Sequence, residues 1–423
     1  MYLKTTLSSH PSAKQDVQKG LSSKAAGALA SGAYEGIREH DKGLRTQLAD
    51  FFNTLLVSVS PCLLYRNFLF PIAVCHNIFV KALVKDQPKA GLLLTDWPDP
   101  KAGPSEVVVR VKATSLCGTD AHIYNWDEWA SHRVQLPRII GHEICGEVVE
   151  VGANVSLVQK GDFVAAESHL TCGTCFQCRT GQAHVCQHYR ILGIDFDGSY
   201  AEYVALREEV LWKTSPEIPP EFACVQEPLG NAVDAALVED VTGHTVLVTG
   251  CGPTGLFAVA VSRIAGAARI IATDTSDYRL QLAAQLGADH IFNAKTLSPD
   301  TLGAALCDLL DGEGVDAALE MSGDPSALHL AFRTVKNGGR VTLFGIPTGQ
   351  VSLNLPNEII FKGIRVHGVT GRRLFATWYR LAGLFKAGLN IRPVVTHIIP
   401  MEDFARGFEL VKSGQCGKVV MIP

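Results

Sequence analysis

The feature that most constrains the fold is the run Val246–Gly255, in which a short apolar segment leads into the spacing G-x-G-x-x-G and then into an apolar helical pattern. A strand that ends in such a turn and continues as a helix begins a dinucleotide-binding βαβ unit. Gly250 permits the tight turn, Gly252 lets the backbone approach a pyrophosphate, and Gly255 lets helix and strand pack closely. We therefore expect a phosphate-binding site at the N-terminus of this helix.

An acidic residue follows at the position where such units recognise ribose. Asp274 lies nineteen residues beyond Gly255, directly after the segment 269–273, which contains two isoleucines and a threonine. A carboxylate there accepts hydrogen bonds from the ribose hydroxyls and repels a 2′-phosphate, so the pattern predicts NAD rather than NADP. Arg279, five residues further, either contacts the same ribose or is solvated. A helix N-cap is the competing interpretation of Asp274.

The residue pattern changes twice after the N-terminal part, which predicts an α/β chain with two kinds of folded region. Residues 81–230 show short strands closed by turn residues, as in a β-rich, barrel-like region. Residues 231–370 alternate buried strands with apolar helical segments, which implies a parallel, doubly wound sheet. Residues 371–423 contain one helical stretch and a final strand. The strand candidates of the alternating region are 245–249, 269–273, 290–293, 315–320, 340–344 and 365–369.

Four closely spaced cysteines predict a metal site. They are Cys172, Cys175, Cys178 and Cys186. Four thiolates can surround one ion tetrahedrally and leave no open position, which is typical of structural zinc. An iron–sulfur cluster is the alternative, because its ligands can be spaced similarly. A disulfide framework normally occurs on a much shorter secreted chain, so the cluster also predicts a reducing compartment.

A second set of metal-binding residue types is dispersed along the chain. Cys117 follows a predicted strand, His142 and Glu143 are adjacent, and Glu227 precedes the alternating region. Cysteine, histidine and carboxylate together suit zinc with one position left for water or substrate. Taken singly, the cysteine is equally compatible with a small buried residue. The histidine is also compatible with a buried residue whose ring nitrogens are hydrogen-bonded within the core, and the acids are compatible with salt bridges on the surface.

The first 80 residues differ from the rest of the chain. Residues 1–50 are rich in Ser, Ala, Gly and Lys, and the apolar residues 51–80 are interrupted by prolines and polar residues. No uninterrupted apolar run reaches the roughly 18–20 residues that span a bilayer, so we expect no membrane association. We expect a disordered or loosely helical extension without a catalytic role. The formal charge of −4, with both signs scattered, argues against a nucleic-acid partner.

Several motifs occur in the order that is typical of one enzyme family. They are Cys117-Gly118-Thr119-Asp120, Gly141-His142-Glu143, the four-cysteine lobe and the glycine-rich turn. From residue 81 to the end, the chain resembles the zinc-dependent medium-chain alcohol dehydrogenases. The resemblance implies a GroES-like catalytic domain formed by 81–230 and 371–423, and a Rossmann domain at 231–370. It also implies NAD as cofactor and two Zn²⁺ ions per chain, one catalytic and one structural.

The resemblance assigns roles to individual residues. The implied ligands of the catalytic zinc are Cys117, His142 and Glu143. Thr119 and His122 match a proton relay, and Glu227 matches an acidic position that is either a fourth ligand or a member of the relay. The implied cofactor contacts are Gly250, Gly252, Thr254, Gly255, Asp274, Arg279, Phe344, Gly345, Ile346, Val369 and Thr370.

Within this family, the segment 121–129, with the sequence AHIYNWDEW, resembles the threonine dehydrogenases. That resemblance implies L-threonine as substrate, L-2-amino-3-oxobutanoate as product, a place in threonine catabolism, a homotetramer and a cytoplasmic location. A zinc polyol dehydrogenase acting on sorbitol or 2,3-butanediol is the nearest alternative, and a non-catalytic nucleotide-binding relative is a more distant one. Asp127, Glu128 and Arg372 are candidate partners of the substrate's ammonium and carboxylate groups, and solvated positions explain each of them equally well.

The start of the resemblance suggests a hypothesis about the N-terminus. The segment Val80-Lys81-Ala82-Leu83 resembles the usual opening Met-Lys-Ala-Leu of the family, with valine in place of methionine. We hypothesise that translation starts at Val80, and peptides from residues 1–79 in mass spectra of the native protein would contradict this.

Overall fold

The structure is a computed structural model that describes residues 79–423, so the expectations for residues 1–78 lie outside the described residues. The strands are β1 Phe79–Lys85, β2 Leu93–Pro98, β3 Glu106–Ser115, β4 Arg138–Ile139, β5 Ile144–Val151, β6 Phe163–Ala166, β7 His169–Leu170, β8 Arg190–Ile191, β9 Tyr203–Arg207, β10 Leu211–Lys213, β11 Thr245–Thr249, β12 Arg269–Asp274, β13 His290–Asn293, β14 Val315–Glu320, β15 Val335–Leu343, β16 Arg365–Gly368, β17 Val395–Pro400 and β18 Lys418–Ile422. The α-helices are α1 Gly118–Asn125, α2 Glu128–Arg133, α3 Phe176–Arg179, α4 Pro220–Ala223, α5 Gln226–Ala236, α6 Pro253–Ile264, α7 Asp277–Gln285, α8 Pro299–Leu309, α9 Pro325–Thr334, α10 Ala376–Lys386 and α11 Phe404–Ser413.

The alternating region forms the predicted parallel, doubly wound sheet. Its six strands lie in the order β13-β12-β11-β14-β15-β16, and every neighbouring pair is parallel. Numbered along the chain, this is the order 3-2-1-4-5-6 of dinucleotide-binding folds. The predicted strand 340–344 is longer in the structure, because β15 begins at Val335, directly after α9, and pairs with β14 through an irregular register.

The β-rich region is built around a seven-stranded sheet with the order β10-β6-β5-β3-β18-β17, to which β9 adds by pairing with β3. The C-terminal strand β18 lies antiparallel to β3, so the end of the chain returns to the β-rich region. A separate three-stranded sheet has the order β2-β1-β4, and Val80 is buried within β1. The two ends of the described chain are therefore both part of the β-rich fold.

One hydrophobic cluster joins the two regions. It contains Cys145 and Ala165 from the β-rich sheet, Leu229 and Val233 from α5, and Val246 from β11. Burial of apolar side chains at this junction holds the site residues of one region beside the sheet of the other. Within residues 79–423, no helix is long and apolar enough to cross a membrane.

Candidate active site

Cys117, His142 and Glu143 converge because β3 and β5 are antiparallel neighbours. Thr114 lies opposite Ile144 in the register, so the end of β3 and the start of β5 meet at one edge of the sheet. The thiolate, imidazole and carboxylate ligand atoms of the three residues all lie within 4.8 Å of one another. A donor set of one sulfur, one nitrogen and one oxygen at this spacing fits a single zinc ion and leaves a fourth position for substrate.

Asp120 orients the histidine of this group. Its Oδ1 lies 3.5 Å from His142 Nδ1, while its Oδ2 accepts hydrogen bonds from the Tyr200 hydroxyl at 2.7 Å and the Cys117 N–H at 2.9 Å. A carboxylate against one ring nitrogen leaves the other nitrogen for a metal. Burial alone would lower the pKa of His142, but Asp120 and Cys117 raise it well above its usual value. The surroundings thus favour positive charge at this point, as a metal cation would supply.

Glu143 has a partner that the local sequence does not reveal. Lys418, at the start of β18, is 2% exposed, and its Nζ donates to Glu143 Oε1 at 2.6 Å and to the Leu116 carbonyl at 2.8 Å. Ser115 Oγ donates to the other carboxylate oxygen. The two charges neutralise each other in a buried setting, where either one alone would be costly. Lys418 is 275 residues from Glu143 in sequence, and only the pairing of β18 with β3 brings them together.

The structure groups Glu227 with a different set of residues. Its carboxylate lies within 4.8 Å of ligand atoms of Glu167 and His169. Glu227 Oε1 accepts hydrogen bonds from Ser168 Oγ at 2.6 Å and forms an ion pair with Arg372 Nη1 at 2.8 Å. Burial alone would raise the pKa of Glu227, but the Arg372 charge lowers it.

Arg372 is fully committed within this buried network. Its Nε donates to Glu167 Oε2 at 2.7 Å, its Nη2 donates to Glu167 Oε1, and its Nη1 donates to Asn231 Oδ1 at 2.8 Å. Trp378 Nε1 also donates to Glu167 Oε2, at 2.9 Å. Burial alone would raise the pKa of Glu167, but the Arg372 charge, the neighbouring His169 and the Trp378 hydrogen bond lower it to about 2. The suggestion that Arg372 binds the substrate carboxylate is wrong, because its guanidinium is buried among protein acceptors.

The four cysteines of the lobe surround one point. The Sγ–Sγ separations are 3.5 Å for Cys175–Cys178, 3.8 Å for Cys175–Cys186 and 3.5 Å for Cys172–Cys186. Four sulfurs at about 2.3 Å from one tetrahedral zinc lie about 3.8 Å apart, which these distances approach. An iron–sulfur cluster distributes its thiolates over several metal atoms and needs them further apart. Backbone N–H groups of Thr174 and Cys175 lower the pKa of Cys172 to about 5, which favours the thiolate that a metal needs.

Replacing Cys172 with serine is expected to lower the melting temperature by several degrees, because a structural metal contributes directly to the stability of a small lobe. The matched control is Cys307→Ser, which changes an exposed cysteine outside the lobe. Differential scanning calorimetry of both variants checks this. Equal melting temperatures for Cys172→Ser and the control would contradict a structural role.

The three glycines of the turn have the geometry that their roles require. Gly250 adopts φ +90°, and a Cβ on Gly255 would lie 1.9 Å from the Gly250 carbonyl oxygen, so this close approach of helix and strand excludes any side chain. A Cβ on Gly252 would meet no atom within 4 Å, which leaves open space where a pyrophosphate is expected. The N-terminus of α6, including Thr254, follows this space directly.

The other predicted cofactor residues have different environments. Asp274, at the end of β12, accepts hydrogen bonds from the Cys251 N–H at 2.6 Å and the Ser276 N–H at 2.8 Å, and so borders the glycine turn. Arg279 Nε donates to the Cys416 carbonyl at 3.2 Å. The remaining predicted contacts follow the carboxyl ends of β15 and β16, and are Phe344, Gly345, Ile346, Val369 and Thr370. That edge of a doubly wound sheet is where ligands bind.

Thr119 and His122 lie on α1, directly after Cys117. They are three residues apart, and residues at this spacing are neighbours on a helix surface. Thr119 is half-buried, whereas His122 is exposed, so the pair extends from the metal-binding end of the helix toward solvent. The residues that reasoning from the sequence missed are Ser115, Asp120, Glu167 and Lys418. Asp120 could have been found from its place in the Cys-Gly-Thr-Asp motif.

Comparisons with known proteins agree with this geometry. Residues 103–217 match the family model of the Alcohol dehydrogenase GroES-like domain, and residues 253–387 match that of the Zinc-binding dehydrogenase family. The chain is 48% identical over 345 residues to an L-threonine 3-dehydrogenase of Bacillus licheniformis, a match that covers 81% of this chain and 99% of the relative. An L-threonine 3-dehydrogenase of Pyrococcus abyssi is 46% identical over 343 residues, covering 81% and 98%.

Solved structures give the same result for the fold. An alcohol dehydrogenase from Escherichia coli complexed with NADH superposes with a TM-score of 0.75 at 26% identity, covering 82% of this chain and 100% of the other. The 2R,3R-butanediol dehydrogenase of Bacillus subtilis superposes with a TM-score of 0.71 at 28% identity, covering 81% and 99%. The predicted combination of a GroES-like region with a Rossmann-type region is confirmed. The chain belongs to the zinc-dependent medium-chain alcohol dehydrogenase family.

Proposed function

We propose that this protein oxidises L-threonine to L-2-amino-3-oxobutanoate with NAD as the hydride acceptor. The observation that carries the proposal is the convergence of the ligand atoms of Cys117, His142 and Glu143 to within 4.8 Å of one another, in a chain 48% identical to an L-threonine 3-dehydrogenase. The solved butanediol dehydrogenase supports a polyol substrate as the second candidate, but at only 28% identity. Threonine catabolism in the cytoplasm is the setting that follows from the first candidate.

The metal content that we propose is two zinc ions per chain. The four-cysteine lobe would hold a structural ion, and Cys117, His142 and Glu143 would hold a catalytic one. When bound, the catalytic zinc acts as a Lewis acid that lowers the pKa of a hydroxyl group. Because Glu143 is paired with Lys418, its weaker donation would keep the site more electrophilic. Domain boundaries at 81–230 with 371–423, and at 231–370, are part of the proposal.

The proton of the substrate hydroxyl needs a path to solvent. Thr119 and His122 lie in succession on α1 and would move it outward, since a hydroxyl both accepts and donates a hydrogen bond and an imidazole ring can take up a proton at one nitrogen. Glu227 would be either a fourth metal ligand or a further member of this relay, with its carboxylate held in place by Arg372 and Ser168.

Replacing Asp274 with alanine is expected to shift the preference for NAD over NADP by about 10- to 100-fold, since hydrogen bonds to a charged group contribute about 1.5–3 kcal/mol. The reason is that the carboxylate binds ribose hydroxyls and repels a 2′-phosphate. The ratio of kcat/KM for the two cofactors measures the shift. Asp277→Ala, which changes an exposed carboxylate three residues away, should leave the ratio unchanged, and an unchanged ratio in Asp274→Ala would contradict the ribose contact.

We also propose a homotetramer. The outer strand β16 and the adjoining Ile360 and Phe361 expose apolar surface, and so do Phe176 and Tyr189 on the four-cysteine lobe. Two separate apolar surfaces fit the two kinds of interface in a tetramer of twofold symmetry. Light scattering coupled to size-exclusion chromatography tests this, and a monomeric mass would contradict it.

The experiment that tests the activity is an assay with NAD and three substrates in parallel. L-Threonine, sorbitol and 2,3-butanediol are supplied at equal concentration, and NADH formation is followed together with the metal content of the protein. A kcat/KM for L-threonine well above the other two supports the proposal. A preference for either polyol favours the second candidate, and absence of both metal and turnover favours a non-catalytic nucleotide-binding protein.

A further inference from the structure

The tryptophan-rich segment folds back onto α1. Trp126 ends that helix in a left-handed conformation, with φ 56°, and its neighbour Asp127 donates its backbone N–H to the carbonyl of His122 at 3.3 Å. This turn places the carboxylate of Asp127 beside the imidazole of His122. The segment that resembles the threonine dehydrogenases therefore brings a carboxylate to a proposed member of the proton relay.

Both carboxylate oxygens of Asp127 are engaged. Oδ1 accepts the Ala130 N–H at 3.0 Å and so caps the N-terminus of α2, and Oδ2 lies 2.5 Å from His122 Nδ1. The Trp129 ring meets the imidazole edge-on, with centroids 6.2 Å apart. The cap holds the carboxylate in place, and the carboxylate and the indole both lie against the imidazole.

The contact determines where the histidine carries its proton. An ionised carboxylate only accepts hydrogen bonds, so the neutral imidazole must carry its hydrogen on Nδ1. The helix cap and the contact with His122 both favour the ionised form of Asp127, and the pKa of Asp127 is lowered although burial alone would raise it. Nε2 is then left with a free lone pair, which is the state that a proton acceptor needs.

We propose that Asp127 is a positioning residue that keeps His122 in the Nδ1–H tautomer, so that Nε2 accepts the proton that leaves the substrate. This inference rests on the proposed function. The proton that leaves the substrate hydroxyl is passed outward from the Thr119 end of α1 to Nε2, and the resulting imidazolium releases that proton to water. Asp127 stays ionised throughout and stabilises the transient positive charge.

Two substitutions of Asp127 separate tautomer control from helix capping. In Asp127→Asn, the amide oxygen is needed by the Ala130 N–H, so the amide NH₂ faces Nδ1 and favours the Nε2–H tautomer, which cannot accept a proton at Nε2. Asparagine caps helices as well as aspartate does, so the melting temperature of Asp127→Asn should equal that of the wild type. In Asp127→Ala, the cap is lost and the imidazole is free to adopt either tautomer.

The two variants should differ in opposite ways: Asp127→Asn should lose more activity, and Asp127→Ala should lose more stability. Asp127→Asn should lower kcat about tenfold with little change in KM for NAD, the factor that corresponds to one hydrogen bond. Asp127→Ala should lose less kcat but melt at a lower temperature. Asp324→Asn is the matched control, because Asp324 caps α9 through the Ser326 and Ala327 N–H groups and should retain full activity. Equal kcat for Asp127→Asn and the wild type would overturn the proposal.

A spectroscopic measurement tests the tautomer without relying on turnover. In ¹⁵N solid-state NMR of histidine-labelled protein at alkaline pH, the His122 signals are assigned by their absence from His122→Asn. Nδ1–H in the wild type and Nε2–H in Asp127→Asn support the proposal, and Nε2–H in the wild type overturns it. If L-threonine is not oxidised by the wild type, the proposed function fails, but the spectrum still decides the positioning by Asp127.

Discussion

Replacing Cys117 with serine is expected to lower kcat/KM for L-threonine by about 10³-fold or more, because Lewis-acid stabilisation of developing charge is worth several kcal/mol. A serine hydroxyl stays protonated at neutral pH and does not replace a thiolate ligand. The melting temperature should change little, since the β3 and β5 pairing that supports the site does not depend on this side chain.

Measuring the zinc content of each variant shows whether turnover is lost because the catalytic ion is no longer bound. We expect two zinc ions per chain in the wild type and one in Cys117→Ser, and His142→Ala should behave in the same way as Cys117→Ser. Cys307→Ser, which changes an exposed cysteine, should retain both ions and full turnover. Full zinc content with normal turnover in Cys117→Ser would overturn the assignment of the catalytic metal site.

Replacing Arg372 with methionine is expected to lower the free energy of unfolding by about 3–5 kcal/mol, the usual cost of leaving a buried charge without its partner. Here two carboxylates, those of Glu167 and Glu227, would lose the same cation. Urea denaturation measures the loss. Arg373→Met is the matched control, because its side chain is 62% exposed and 3.8 Å from Asp234, and its effect should stay within about 0.5 kcal/mol.

A second substitution identifies the cause. Adding Glu167→Gln to Arg372→Met removes one of the unpaired charges and should recover part of the lost stability, whereas a purely steric defect would not be relieved. The pH dependence gives the same information. The folded pKa of Glu167 is about 2, so its contribution is complete above the unfolded value of about 4.3 and is lost as pH falls toward 2. Arg372→Met should lack this contribution to acid stability.

The amino-acid sequence by itself determined the parts of this protein that depend on local spacing. The sequence predicted the glycine turn, Asp274 after the following strand and the four-cysteine lobe. Each lies within a few tens of residues, and its chemistry requires those residue types at that spacing. The parallel, doubly wound sheet followed from alternating strands and helices, since right-handed crossovers leave few topologies, whereas the order of its six strands came only from the structure.

Only the tertiary structure decided how the site is supported. Lys418 reaches Glu143 across 275 residues, and Arg372 reaches Glu167 across 205. No local pattern encodes such pairs, because they are created by the return of β18 to β3 and by the burial of α10 against α5. From the sequence alone, a charged residue is expected to be exposed to solvent. Only the structure shows that it is buried, and a buried charge needs a partner of opposite charge because its desolvation is otherwise too costly.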